Sequence, residues 1–189
     1  IFTSGINIYI LLAIFIAGTF LLAYLIIFVP KFDYIQGRIF SFFNRETGTH
    51  NFQSDKAIDS ITSGGFFGKG IGEGVLKNRV PEAHTDYIIS VISEEFGVVA
   101  IMLILLLFLV LIYMVFKKIS FETNDKAKLI LIGSISLILM QATIHVGVNI
   151  RLFPTTGMTL PFLSYGGSSI ISTSILGGII LNLTKRKIT

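Results

Sequence analysis

Four stretches of the chain run for about the thickness of a bilayer without a charged residue: Gly5 to Val29, Val98 to Phe116, Leu129 to Val148 and Gly166 to Leu183. A helix needs about 20 predominantly apolar residues to cross roughly 30 Å of hydrocarbon, so each stretch is a predicted span. The last is the least apolar, being rich in Gly, Ser and Thr. Between the first two lies residues 30–97, far longer than an ordinary connection and therefore either functional or disordered. Its aromatic and aliphatic content argues against disorder. Within it, residues 32–43 and 57–61 read as short helices at a membrane surface. The pattern predicts an all-α, polytopic membrane helix bundle: four transmembrane helices and one large loop of short helices, in a single membrane domain over residues 1–189.

Composition agrees: 52% of residues are hydrophobic and 14% charged, against about 25% charged in soluble domains. No cysteine is present, which removes disulfides, thiolate metal sites and thiol nucleophiles. The basic excess flanks the spans rather than forming a separate domain, so it is read as topology and not as a nucleic-acid surface. Lys117, Lys118, Lys126 and Lys128 mark one connection and Lys185, Arg186 and Lys187 the tail, which the positive-inside rule places in the cytoplasm. The connection 149–165 carries only Arg151 and falls on the opposite side. Both ends are then cytoplasmic and the 30–97 loop, with nine of the eleven acidic residues, is extracytoplasmic. The first apolar stretch is too long for a signal-peptide core and lacks a basic start. The chain opens without a methionine and reads as a piece of a longer protein.

Several motifs carry chemistry. The run SGGFFGKGIGEG, Ser63 to Gly74, has six glycines but fits no phosphate-loop spacing, so a tightly turning or re-entrant backbone is expected, with Lys69 available to an anion. Lys56 and Arg79 are ordinary loop cations unless a substrate carries a diphosphate, for which they are natural partners. HTDYIISVISEEFG, residues 84–97, reads as a helix capped by Thr85 that continues into the second span. Its spacing gathers Asp86, Ser90, Ser93, Glu94 and Gly97 on one stripe. Such a stripe faces protein or a wet cavity rather than lipid, and a cavity at the membrane boundary is expected. Asp86 is then either a helix-start acid or a working carboxylate, a choice that pattern leaves open. His145 reads as a hydrogen-bonded interhelical histidine with Gln141, Thr143 and Asn149 as partners, ahead of a proton relay. RLFPTTGMTLPFLSYGGSS, from Arg151, has two prolines and three glycines, which forbids a continuous helix and predicts a second re-entrant element meeting the Asp86 stripe.

PEAHTDYIISVISEEFG and LFPTTGMTLPFLSYGGSS together closely resemble the SEDS family of bacterial cell-wall proteins, which includes the FtsW, RodA and SpoVE types. The likeness covers essentially the whole chain, as the C-terminal part of a ten-span fold with the large loop between the seventh and eighth spans. Ala83 and the upstream FQSDKAIDSITSGGFFGKGIGEG are more similar to the FtsW type than to the RodA type.

The resemblance implies a peptidoglycan glycosyltransferase that polymerises lipid II during cell division, by inverting transfer with undecaprenyl diphosphate as leaving group. The family's essential carboxylate maps onto Asp86, as base, as orienting group or as ligand of a divalent cation (Mg²⁺ or Mn²⁺). Glu82 and His84 share its motif as candidates to orient it or the sugars. Lys56 and Arg79 are candidate phosphate contacts, and Ser164 and Tyr165 of the second motif are candidate substrate contacts. The chain departs from the family at Pro154–Gly157, where PTTG replaces the common PTKG and a lysine is absent. Implied partners are lipid II, a class B penicillin-binding protein transpeptidase, other division proteins and membrane lipids, with no nucleic acid. The implied location is the bacterial cytoplasmic (inner) membrane at the septum, and the fragment alone is expected to be inactive. Competing readings are a lipid II flippase and a non-catalytic division scaffold.

Overall fold

A computed structural model describes residues 7–44, 49–80 and 82–185. Arg186 and Lys187 of the basic tail, and Pro81 of the PEAHTD motif, lie outside the described residues. Every regular element described is helical, and four helices are long and apolar enough to cross a membrane: Ile8–Phe28, Ile88–Phe121, Asp125–Asn149 and Gly167–Thr184. Contacts resolve two compact units, residues 1–51 and 52–189.

In the first unit, α1 (Ile8–Phe28) is capped by Asn7, whose Oδ1 accepts the Tyr9 N–H at 3.1 Å. It stops at Val29 because Pro30 cannot continue a helix and pushes its predecessor to extended backbone. A 3₁₀ turn over Pro30–Phe32 leads into α2 (Asp33–Asn44), which has Asp33 at its positive end and the Arg38 guanidinium 4.3 Å from the centre of the Tyr34 ring.

The division between the units falls within α3 (Thr49–Gly64), which is much longer than the five-residue helix expected at 57–61. Its buried positions are the small residues Ser54, Ala57, Ser60 and Gly64, spaced to let its backbone approach neighbouring chain. The glycine run then leads to α4 (Leu76–Arg79), a turn through 82–87, and α5 (Ile88–Phe121). A three-residue connection reverses the chain into α6 (Asp125–Asn149), capped by Asn124 Oδ1, which accepts the Lys126 N–H at 3.0 Å. The irregular segment 150–166 precedes α7 (Gly167–Thr184). Helices α5, α6 and α7 pack on one another around two apolar layers: Val115, Leu131, Ile135, Ile138 and Ile180 in one, Ile89, Ala142 and Leu160 in the other. A third cluster, Ala57, Leu76, Val80, Ala83, Tyr87, Val91 and Val148, joins α3, α4 and the 82–87 turn to the ends of α5 and α6.

Two backbone features shape the end of this unit where α5 begins. At Gly97 the helix breaks (φ 80, ψ 179), a conformation essentially confined to glycine. The break frees the Glu94 and Glu95 carbonyls and the Val98 and Val99 amides, and the glycine run fills the gap. Lys69 N–H donates to Glu94 O (2.9 Å), Gly70 N–H to Glu95 O (3.1 Å), Val98 N–H to Gly65 O (2.9 Å) and Val99 N–H to Phe66 O (3.4 Å). The run is therefore a tightly turning strap inserted into a helix, consistent with its failure to fit phosphate-loop spacing.

At the other side, α6 ends in a Schellman-type turn, with Leu152 N–H donating to Gly147 O (2.7 Å) and Arg151 N–H to Val148 O (3.1 Å). Arg151 occupies the left-handed position usually given to glycine (φ 60), and its guanidinium pairs with Asp55 of α3. Prolines and this turn together account for the irregular 150–166 segment that the sequence predicts.

Candidate functional site

The turn 82–87 is where the two motifs meet. Its internal bonds are short-range: the Glu82 carbonyl accepts from Thr85 N–H (3.2 Å), Asp86 N–H (3.0 Å) and the Thr85 hydroxyl (3.0 Å). The carbonyls of residues 84, 85 and 86 are all taken by the C-terminal part of the chain. His84 O accepts the Tyr165 N–H at 3.1 Å, Thr85 O accepts the Ser164 hydroxyl at 2.7 Å, and Asp86 O accepts Nδ2 of Asn149 at 2.9 Å. His145 Nε2 also stands 3.4 Å from Thr85 O.

Those three carbonyls are the ones that a helix beginning at residue 84 would turn toward the amides four residues on. Because they are engaged elsewhere, the helix begins only at Ile88. At this end Val91 N–H donates to Tyr87 O (3.1 Å). The expected Thr85 cap is thus corrected: the Thr85 hydroxyl bonds backwards, and Tyr87 stands at the cap position, where its side chain makes no capping bond. Asp86 precedes the helix and no acid occupies its first turn, so the reading of Asp86 as a helix-start charge falls with the cap.

The rest of the polar stripe is packed against protein, with Glu94 also lining a small polar cavity. Ser90, Ser93, Glu94 and Gly97 are all buried. Glu94 Oε2 accepts the Val75 and Leu76 amides at 3.0 Å each, and Oε1 pairs with Lys69 at 3.0 Å. This carboxylate holds the strap and the start of α4. Ser90 bonds Asn149, whose Oδ1 accepts both the Ser90 N–H (3.2 Å) and hydroxyl (2.8 Å).

Asp86 itself is half-buried, with Glu82 and His84 exposed beside it in sequence. Gly157 approaches it so closely that a Cβ there would lie 3.6 Å from Asp86 Oδ2. The PTTG stretch therefore borders the carboxylate at the place where the family commonly has PTKG. Ser164 is buried, and its hydroxyl both donates to Thr85 O and accepts the Leu160 N–H (2.8 Å), so it holds the turn in place. Tyr165 is 78% exposed, joined to His84 through its backbone only.

Lys56 and Arg79 come together elsewhere, in a cavity of about 190 Å³ lined also by Asp59, Ser60, Ser63, Lys69 and Glu94. Lys56 pairs with Asp59 (3.1 Å) and Lys69 with Glu94, while Arg79 makes no ion pair among the described residues. The cavity thus carries three cations against two carboxylates. His145 is fully buried, as expected of an interhelical residue, and Asn149 is a neighbour at 3.4 Å. Gln141 serves a different junction, donating to Thr159 O (3.0 Å) and Thr159 Oγ1 (3.1 Å).

Sequence reasoning names Asn149 only as a neighbour of His145 and assigns Gly157 no part at the site. The legible signal was a polar residue closing an otherwise apolar helix, four residues after a histidine. No group of three or more His, Cys, Asp or Glu among the described residues is placed to hold a metal ion.

Comparison with known proteins follows the same lines. Residues 1–188 match the FtsW, RodA and SpoVE family, described as cell cycle proteins. A "Probable peptidoglycan glycosyltransferase FtsW" of Enterococcus hirae is 36% identical over 183 residues, which is 92% of this chain and 46% of that protein. The protein of the same name from Caulobacter vibrioides is 37% identical over 158 residues, 82% of this chain and 40% of its own. A solved structure concerned with "structural coordination of polymerization and crosslinking by a peptidoglycan synthase complex" superposes with a TM-score of 0.65 at 26% identity, covering 93% of this chain and 50% of its own. The chain therefore spans about half the length of the relatives it matches.

Proposed function

The chain belongs to the FtsW, RodA and SpoVE family of cell cycle proteins, a multi-pass membrane protein with four helices able to span the bilayer. On that premise we propose that it is part of a peptidoglycan glycosyltransferase that polymerises lipid II during cell division. One observation carries the reading: Asp86 stands half-buried on a turn whose neighbouring carbonyls are fixed by buried side chains and backbone from another part of the chain. A carboxylate presented in one orientation suits general-base work, which depends on placement before pKa.

In the proposed reaction the acceptor sugar's 4-hydroxyl attacks the donor's anomeric carbon with inversion. The bond from that carbon to the diphosphate oxygen breaks, the hydroxyl proton passes to the Asp86 carboxylate, and undecaprenyl diphosphate leaves. The 190 Å³ cavity offers Arg79, with Lys56 and Lys69, to the negative charge that gathers on the leaving group. Glu82 and His84, exposed beside Asp86, are proposed to meet the sugars, with exposed Tyr165 next to them. Among the described residues no group of three or more His, Cys, Asp or Glu surrounds Asp86 to hold Mg²⁺ or Mn²⁺. A class B penicillin-binding protein transpeptidase is the proposed partner at the septum, with this end of the helices on the extracytoplasmic side.

The deciding experiment supplies lipid II to the full-length protein with its partner and compares wild type with Asp86→Asn, which keeps shape and removes the charge. Glycan chains from wild type alone are expected. Equal polymerisation by both removes Asp86 from the chemistry. Lipid II movement across proteoliposomes by Asp86→Asn, with no polymerisation by wild type, supports a flippase; neither activity supports a scaffold.

A further inference from the structure

Asn149 is the last residue of α6, fully buried, and its amide reaches both Ser90 in the first turn of α5 and Asp86 just ahead of that helix. Nδ2 donates to Asp86 O (2.9 Å) and to His145 O (2.9 Å), while Oδ1 accepts the N–H and the hydroxyl of Ser90. The Ser90 N–H can only donate, so the amide has one permitted orientation. Residues 86 and 90 stand four apart. In an unbroken helix, Ser90 N–H would donate directly to Asp86 O. The Asn149 amide sits across that pair, accepting from one member and donating to the other.

We infer that Asn149 is a positioning residue, spliced into the α5 ladder in place of the 86–90 bond, which keeps Asp86 out of helical geometry and so aims its carboxylate. The inference rests on the proposed role of Asp86. Without the amide, Asp86 O and the Ser90 N–H are free to close on each other. With that bond closed Tyr87 joins the helix and Asp86 becomes its cap residue, which carries the carboxylate round with it. His145 and Ser164 hold the adjacent Thr85 carbonyl but do not bridge a ladder pair, so the splice belongs to Asn149 alone.

The test uses the full-length protein with its partner and two variants. Asn149→Ala removes the splice, and Asn149→Asp keeps the size and the acceptor for Ser90 but cannot donate to Asp86 O. Both are expected to lower kcat by about 10- to 100-fold, with KM for lipid II changed less than about threefold, as for a misplaced catalytic group. In an Asp86→Asn background, Asn149→Ala should lower the residual rate no further, whereas a residue needed only for folding lowers it again. Unchanged turnover in Asn149→Ala, or additive losses in the double variant, overturns the inference. If Asp86→Asn proves as active as wild type, it is the catalytic reading that has failed. A cryo-EM structure of Asn149→Ala then decides the splice independently. Helical backbone at Asp86 with a direct bond to Ser90 supports it, and an unmoved Asp86 overturns it.

Discussion

Replacing Gly97 by alanine attacks the junction on which the end of the second unit is built. The residue adopts φ 80, ψ 179, a region that an L side chain occupies only at a cost of about 1–3 kcal/mol. A Cβ there would also overlap the Phe66 carbonyl and stand 2.6 Å from the Gly68 nitrogen, both backbone atoms that cannot rotate away. The chain must therefore separate strap from helix. Four backbone bonds span that contact, at 2.9, 3.1, 2.9 and 3.4 Å, and each contributes about 0.5–1.5 kcal/mol net. Losing two of them along with the torsional cost gives about 2–6 kcal/mol, a large share of the stability of an ordinary domain. The assay is thermal unfolding in detergent beside limited proteolysis of the 64–75 strap. Gly133→Ala in α6, where a Cβ meets nothing within 4 Å, is the control and is expected to be neutral or slightly stabilising. If Gly97→Ala melts with Gly133→Ala and the strap stays resistant to protease, the inserted-strap reading is wrong.

The other predictions concern charges and the rim of the site. Glu94→Ala should destabilise by about 2 kcal/mol or more because the Leu76 amide is buried without its acceptor. Lys69→Ala should cost about 1 kcal/mol or less, since that side chain is 38% exposed and water screens the pair; the reverse order in melting temperature refutes this account. Gly157→Ala has left-handed backbone (φ 71) but no overlap, so the fold should survive at a cost of about 1–2 kcal/mol. Its methyl group would touch Asp86 Oδ2, and turnover should fall more than in Gly65→Ala, which has a similar backbone (φ 57) and open space around it. Arg79→Ala should raise KM for lipid II by about fivefold, equivalent to about 1 kcal/mol, with kcat less affected; an unchanged KM removes the cavity from diphosphate binding.

The sequence by itself determined what depends on the chain's solvent. Uncharged runs of the right length have one stable answer in hydrocarbon, a helix with its own hydrogen bonds satisfied, so the four apolar helices and the broken stretch after α6 were legible. The glycine spacing likewise excluded a phosphate loop. What the tertiary structure alone decided is where the carbonyls of residues 84–86 go. Locally, HTDYIISV is a good helix start, and a cap at Thr85 with Asp86 in the first turn follows from every rule of propensity. Ser164, Asn149 and the Tyr165 amide, from 63 to 81 residues away in sequence, supply better partners for those carbonyls and move the helix start to Ile88. The same holds for the polar stripe. Its period was readable, but only packing decided that Glu94 faces a helix start and Lys69, while Asp86 faces Gly157. Local pattern fixes which groups are polar and how far apart they lie along a helix. Which partner satisfies each of them is a property of contacts between distant segments, and at Asp86 that choice outweighs the helix the local sequence would otherwise make.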